Sequence, residues 1–122
     1  MLLSEIKSVL EAKVLTSEST DQLQAIEIHT ACGCDLMSDV LAFVKDQSLL
    51  LTGLINSQVI RTAEMMDIAA VCFVRGKMPP QEVVTLANQK NIAVLTTEYP
   101  LYVACGKLYQ RGLGGKTHAQ TL

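Results

Sequence analysis

Between residues 49 and 112 the sequence repeats one pattern three times: a short apolar run, a loop, and an amphipathic segment with helical periodicity. The clearest run, residues 69–74, contains no polar side chain apart from a cysteine, as expected of a strand buried on both faces of a sheet. Strands that alternate with helices of about ten residues are joined by crossovers, which makes the sheet parallel. The pattern therefore predicts an α/β fold with three layers, α/β/α, on a mainly parallel sheet of four or five strands built from βα repeats.

Polar residues and prolines mark where the strands and helices of these repeats begin and end. The predicted strands cover residues 49–52, 69–74 and 92–95. Asn56 or Ser57 has the chemistry of a helix N-cap, and proline is tolerated where the next two helices begin, at Pro80 and Pro100.

The first half of the chain is less regular. Apolar residues at helical spacing predict a helix over 2–11, followed by a short strand at 14–15 and a polar loop at 17–21. The alternation of Ile26 and Ile28 with charged or polar neighbours predicts a strand over 23–30. A further helix is predicted over 36–44, with Asp35 as its N-cap.

Length and composition limit the class of protein. A chain of 122 residues predicts one domain, assigned to 1–113, with residues 114–122 as a flexible C-terminal tail. Charged residues make up 18% of the chain, against about 25% in typical domains, so part of the surface is expected to be covered by a partner. Ten Lys and Arg against twelve Asp and Glu leave no excess of cations, which argues against nucleic acid.

The sequence also predicts a cytoplasmic location. Charged residues interrupt the apolar start of the chain, so it contains no signal-peptide core, and no apolar run approaches the ~20 residues that span a bilayer. The four cysteines are therefore expected to remain thiols, and no membrane partner is expected.

Ligands of parallel sheets bind beyond the carboxyl ends of the strands. The candidate surface is therefore formed by residues 31–35, 52–56, 76–78 and 96–99, and the strand order that decides which loops face each other is left open. The ligand-binding candidates on and beside these loops are Cys32, Gly33, Cys34, Asp35, Ser38, Asp39, Gly53, Asn56, Thr96, Thr97 and Glu98.

One segment, residues 29–35, places an imidazole, two thiols and a carboxylate on a predicted strand-to-helix loop. His29, Cys32 and Cys34 could hold a soft metal ion, or the two thiols could act in redox chemistry. The thiols could equally be small core residues, since metal sites usually need a second ligand pair elsewhere. A third interpretation is a loop that binds a ligand through backbone amides and Asp35.

The sequence shows no recognisable set of catalytic residues. Nothing in the sequence suggests an acid/base pair of carboxylates or a Ser/His/Asp arrangement. The segment from Gly112 to Thr117 resembles a phosphate-binding loop, but Gln110 stands where that motif needs its first glycine. The sequence therefore predicts neither an enzyme nor a cofactor.

Several segments of the chain together resemble those of a known domain family. The sharpest is Asp35-Leu36-Met37-Ser38-Asp39-Val40, and the others are Leu49-Leu50-Leu51-Thr52-Gly53, the run 68–74, Pro80-Gln81-Glu82-Val83 and Ile92-Ala93-Val94-Leu95. With the order of elements, these segments resemble the DRTGG domain family over nearly all of 1–113. The residues that name the family are absent, because Leu54, Ile55 and Asn56 follow Gly53. The resemblance thus extends to the fold and not to a ligand held by those residues.

The family implies a three-layer α/β fold, a homodimer, and a regulatory or accessory role without catalysis. Similar domains precede HPr kinase or accompany CBS modules, and similar small proteins are encoded near iron-only hydrogenase genes. The leading hypothesis is a homodimeric, non-catalytic regulatory domain that binds a small metabolite or nucleotide at its strand-end loops. The alternatives are a thiol-based metal or redox sensor using Cys32 and Cys34, and a docking module for a kinase or hydrogenase-related protein.

Overall fold

The computed structural model describes residues 1–43 and 47–114 of the chain. Within these residues the elements follow one another as α1 Leu3–Val9, β1 Lys13–Val14, α2 Thr20–Ala25, β2 Thr30–Gly33, α3 Met37–Phe43, β3 Ser48–Thr52, α4 Ser57–Met65, β4 Ile68–Phe73, α5 Gln81–Gln89, β5 Ala93–Thr96 and α6 Leu101–Gln110. Residue 44, the last residue of the helix predicted over 36–44, lies outside the described residues. Residues 115–122 of the predicted C-terminal tail also lie outside them.

The strands form one sheet in the order β1-β5-β4-β3-β2. β2, β3, β4 and β5 are parallel and adjacent in chain order, whereas β1 pairs antiparallel with β5. When each crossover connects a strand to its next neighbour in the same direction across the sheet, right-handed connections place all the crossover helices on one face. Thus α3, α4 and α5 cover one face, while α1 and α6 cover the other, which confirms the predicted three-layer α/β fold.

Each face of the sheet has its own apolar core. β3 is buried along its whole length, and its side chains alternate between the two faces, as the two-residue period of a strand requires. Leu49 and Leu51 belong to the core beneath α1 and α6, and Leu50 belongs to the core beneath α3, α4 and α5. An uninterrupted apolar run is therefore needed in a strand that is covered on both sides.

The predicted strand over 23–30 is wrong. Residues 20–25 form α2, which begins with a capping box: the hydroxyl of Ser19 accepts from the Gln22 amide (3.2 Å), and the Gln22 side chain accepts from the Ser19 amide (2.7 Å). The alternation of Ile26 and Ile28 is real, but this stretch pairs with the start of the chain rather than with the sheet, through Ile28 N–H to Met1 O (2.8 Å). β2 starts only at Thr30.

Among the described residues, no helix is long and apolar enough to cross a membrane.

Candidate functional site

The loops that follow the four parallel strands meet at one edge of the sheet, here called the carboxyl edge. They consist of residues 34–36 after β2, 53–56 after β3, 74–80 after β4 and 97–100 after β5. Because the strands are adjacent in chain order, each loop has the next loop along the chain as its neighbour. The carboxyl edge is the surface on which the sequence predicts a ligand.

Asp35 joins the first two loops. Its Oδ1 accepts hydrogen bonds from the Gly53 amide (2.8 Å) and the Thr52 hydroxyl (2.9 Å). The Gly53 hydrogen bond, together with that from Thr52 and the charges of Arg75 and Lys77, lowers the pKa of the Asp35 carboxyl below its usual value, against a smaller opposing effect of burial. Asp35 is therefore an anion at neutral pH.

The same contacts overturn the predicted role of Asp35 as a helix N-cap. α3 begins at Met37, so Asp35 lies one residue before the N-cap position, and its Oδ1 is directed to the β3 loop. A side chain that could cap its own helix instead binds a neighbouring loop, because the Gly53 amide at the strand end needs an acceptor.

The loop after β4 begins with a tight turn in an unusual conformation. Arg75 and Gly76 both have positive φ, 59° and 66°, and the Lys77 amide donates to the Val74 carbonyl (3.3 Å). Two central residues with positive φ are typical of a type I′ turn, in which glycine is favoured at both positions. Arg75 is not glycine, so this turn stores backbone strain at the carboxyl edge, where strain often accompanies function.

Residues of the β5 loop hold the turn in place. The Arg75 amide donates to the Tyr99 carbonyl (2.9 Å), and the Gly76 amide donates to the Thr97 carbonyl (2.8 Å). A Cβ atom at Gly76 would lie 2.8 Å from a carboxylate oxygen of Glu98. Glu98, one of the predicted candidates, is therefore at the carboxyl edge and directly covers the turn.

Gly53 lies between opposite charges. A Cβ atom there would be 3.4 Å from Nη2 of Arg75 and 3.8 Å from both carboxylate oxygens of Asp35. On the same loop, Lys77 Nζ donates to the Gly53 carbonyl (3.1 Å). A carboxylate and two cations therefore approach one point of the backbone.

A cleft of about 400 Å³ opens beside this point. Its walls come from the loop after β3, the start of α4 and the start of α5, and Lys77 contributes its one basic side chain. The residues around it are Gly53, Leu54, Ile55, Asn56, Ser57, Lys77, Pro80, Glu82 and Val83.

Two predicted candidates, one at the end of β5 and one directly after it, donate their hydroxyl groups to backbone carbonyls. The Thr97 side chain is buried and donates to the Leu10 carbonyl (2.6 Å), which ties the sheet edge to α1. The Thr96 hydroxyl donates to the Lys77 carbonyl (2.9 Å) and so steadies the β4 loop. Thr97 is not the N-cap of the last helix, since that position belongs to Pro100.

Three further candidates lie at helix starts. Asn56 is the N-cap of α4, as predicted, and its side-chain oxygen accepts from the Gln58 amide (3.0 Å). Ser38 and Asp39 are exposed in the first turn of α3. All three therefore lie at the carboxyl edge, but outside the charged group around Gly53.

The two thiols of residues 29–35 differ in their surroundings. Cys32 lies within β2 rather than in a loop, and burial, with smaller contributions from nearby Cys34 and Cys105, raises the pKa of its thiol to about 11. A thiol with so high a pKa is protonated at neutral pH and is a poor nucleophile. His29 precedes β2 and is exposed; within residues 1–43 and 47–114, no three His, Cys, Asp or Glu side chains are placed to share a metal ion.

Gly33 has a packing role. A Cβ atom at this position would lie 2.6 Å from Sγ of Cys105 on α6, so glycine lets α6 pack closely on β2. The Cys34 sulfur bonds locally to the backbone of Leu36, within the turn that leads into α3.

A second depression, of about 510 Å³, lies at the opposite edge of the sheet. Its charged side chains include Lys90 and Glu64, which pair with each other at 3.1 Å. It contains none of the residues predicted from the sequence.

Arg75 and Lys77 were missed as site residues, although loop 76–78 was placed on the candidate surface. The available signal was the pair of basic residues around a glycine directly after a fully apolar strand. Their convergence with Asp35 depends on the adjacency of β3 and β4, which the sequence does not show.

The comparisons with known proteins agree with this architecture. The profile of the DRTGG domain family matches residues 5–110. No curated protein sequence matches the chain.

One solved structure has the same fold. The crystal structure of the CBS and DRTGG domains of the regulatory region of Clostridium perfringens pyrophosphatase, complexed with the activator diadenosine tetraphosphate, aligns with a TM-score of 0.70 at 16% identity. The alignment covers 89% of this chain and 46% of that one, so the chain spans about half the length of that relative. With the family profile matched over most of its residues, the chain belongs to the DRTGG domain family.

Proposed function

We propose that this chain is a non-catalytic regulatory domain, a homodimer in the cytoplasm, that binds a small anionic metabolite or nucleotide at the carboxyl edge. The observation that carries the proposal is the group of Asp35, Arg75 and Lys77 around Gly53, with an open cleft beside it. Arginine and lysine are the side chains that bind phosphates and carboxylates.

The strain of the β4 turn supports a role for Arg75. Left-handed backbone at a non-glycine residue costs about 1–3 kcal/mol and persists where surrounding contacts impose it. Here the Tyr99 and Thr97 carbonyls impose it. The Arg75 guanidinium lies beside Gly53, and a turn whose backbone is already fixed has less entropy to lose on binding.

The related structure supports a regulatory role. That structure is of a regulatory region that contains CBS and DRTGG domains, in complex with the activator diadenosine tetraphosphate. The free thiols of Cys32, Cys34, Cys72 and Cys105 agree with a reducing compartment. The protonated Cys32 thiol, together with an Asp35 carboxylate already occupied by hydrogen bonds, supports a binding function over catalysis.

The proposal is tested by calorimetric titration with inorganic phosphate, AMP, ATP and diadenosine tetraphosphate. Binding of at least one of these anions is expected. It should weaken about tenfold or more in Arg75→Asn, because asparagine tolerates positive φ but lacks the charge, and in Lys77→Gln.

Lys90→Gln is the matched control. Lys90 is an exposed lysine at the opposite edge of the sheet, so its loss changes the net charge equally without touching the site. If Lys90→Gln weakened binding as much as Lys77→Gln, the binding would be nonspecific electrostatic attraction. If none of the four anions bound, the proposal of an anionic ligand would be overturned.

A further inference from the structure

The outer face of α6 is apolar and open. Tyr102 and Tyr109 are 89% and 73% exposed, and Val103 is 39% exposed, although the opposite side of the same helix carries the fully buried Ala104 and Leu108. A shallow groove of about 640 Å³ follows this outer face, lined by Tyr102, Val103, Cys105, Gly106, Lys107, Tyr109 and Gln110. Exposed apolar patches of this kind mark interaction surfaces.

Gly106 lies in the middle of this face. Glycine within a helix destabilises the helix relative to alanine, so it needs a reason. The reason is not found within the described chain: a Cβ atom at Gly106 would have no atom within 4 Å, in contrast to Gly33, where it would meet Cys105 at 2.6 Å. A helix from another chain that approaches closely would supply the reason.

The face carries almost no charge. Tyr102, Val103, Tyr109 and Gln110 are uncharged; Lys107 is the one charged residue among those that line the groove, and its ammonium group lies 4.8 Å from the centre of the Tyr99 ring. A strongly charged partner would find no complementary charges here.

The sequence of the face is symmetric about Gly106. Tyr102 and Tyr109 lie at almost equal distances before and after it, on one side of the helix, and Val103 and Gln110 lie likewise on the other side. A two-fold axis beside Gly106 would pack two antiparallel α6 helices so that each Tyr102 faces the partner's Tyr109. Such self-complementarity is what an isologous interface requires.

We propose that a second copy of this chain docks on α6, with the two helices antiparallel and crossing at Gly106. This inference rests on the homodimer of the proposed function and names its surface. Four exposed tyrosines at about 150–250 Å² each supply most of the roughly 1,000 Å² that a specific interface needs. The interface is therefore small, at the low end of the range for specific contacts between proteins.

The test is sedimentation velocity of the full chain from low to high micromolar concentration, with circular dichroism to confirm folding. The wild type should pass from monomer to dimer over this range. Tyr102→Glu should remain monomeric, because it places two carboxylates in the interface. Met65→Glu is the matched control: Met65 is 70% exposed on α4, on the other face of the sheet, and its variant should dimerise as the wild type does.

Gly106→Ala separates the interface from a general effect on stability. It should raise the melting temperature of the monomer, because alanine favours the helix, and should weaken the dimer at least about tenfold, because its methyl group fills the close approach. Dimerisation unchanged by Gly106→Ala and Tyr102→Glu would overturn the α6 surface and leave the homodimer standing. If the wild type stayed monomeric at every concentration, both the α6 surface and the homodimer would be overturned. The proposal of an anionic ligand at the carboxyl edge would not be affected.

Discussion

The Asp35 carboxylate accepts a 2.8 Å hydrogen bond from the Gly53 amide, although 18 positions separate the two residues along the chain. This contact crosses from the end of β2 to the end of β3. It fastens the loop that precedes α3 to the loop that precedes α4, and it places a negative charge next to the two cations of the β4 loop.

Replacing Asp35 by alanine should destabilise the protein. The Gly53 amide and the Thr52 hydroxyl would both lose their acceptor, at a cost of about 1–3 kcal/mol in the free energy of unfolding. Urea denaturation of Asp35→Ala measures this cost. Asp39→Ala is the control, since Asp39 is also acidic and exposed, in the first turn of α3, and should cost only about 0.5 kcal/mol. Equal losses in the two variants would mean that the Asp35 contacts contribute nothing.

The Asp35 contribution should depend on pH. The Gly53 hydrogen bond lowers the pKa of the folded-state carboxyl, with help from Thr52, Arg75 and Lys77. A lowered folded-state pKa stabilises the fold fully above the unfolded-state pKa of about 3.9, and this stabilisation is lost as the pH falls through the lowered value. The difference in unfolding free energy between wild type and Asp35→Asn should therefore be largest near pH 7 and shrink below about pH 4. A difference that grows on acidification would contradict the assignment.

Gly76→Ala should destabilise the fold. Its φ of 66° is left-handed, which costs about 1–2 kcal/mol for alanine, and the new methyl group would displace the Glu98 carboxylate. Thermal melts of dilute protein give the comparison with Gly106→Ala, which should be stabilising by about 0.5–1 kcal/mol in the middle of a helix. If both substitutions shifted the melting temperature in the same direction, the turn geometry would not be the cause.

Two buried threonines should respond in opposite directions to valine. The Thr97 hydroxyl donates to Leu10 O and accepts from the Tyr99 amide (3.3 Å), so Thr97→Val should cost about 1–3 kcal/mol. The Thr62 hydroxyl is buried in α4 and has no hydrogen-bond partner among the described residues, so Thr62→Val should stabilise by about 1 kcal/mol. Chemical denaturation of both variants tests the pair, and a stabilising Thr97→Val would contradict the tie between α1 and the sheet.

The repeated units could be predicted because their signals are local. The apolar run of β4, the Asn56 cap of α4 and the prolines before α5 and α6 each act within a few residues. The prediction failed between residues 20 and 30 because two signals compete there. The alternation of Ile26 and Ile28 resembles a strand, but the reciprocal hydrogen bonds of Ser19 and Gln22 start a helix just before it.

The candidate site was predicted only in outline. Glu98 and Gly53 were placed on the right edge of the sheet, but Thr97 and Thr96 bind backbone carbonyls, and Cys32 lies inside a strand. A hydroxyl or thiol in a loop-like sequence gives no sign of whether it will be used by the fold.

The sequence by itself determined the class of fold and the edge of the sheet on which the candidate site lies, because burial on both faces requires apolar strands and parallel strands require helical crossovers. Only the tertiary structure decided which loops are neighbours. The order β2-β3-β4-β5 brings Asp35, Gly53 and Arg75 together from three loops, and none of the residues 1–43 and 47–114 covers the outer face of α6. Such contacts depend on the arrangement of whole elements, which no local pattern of residues encodes.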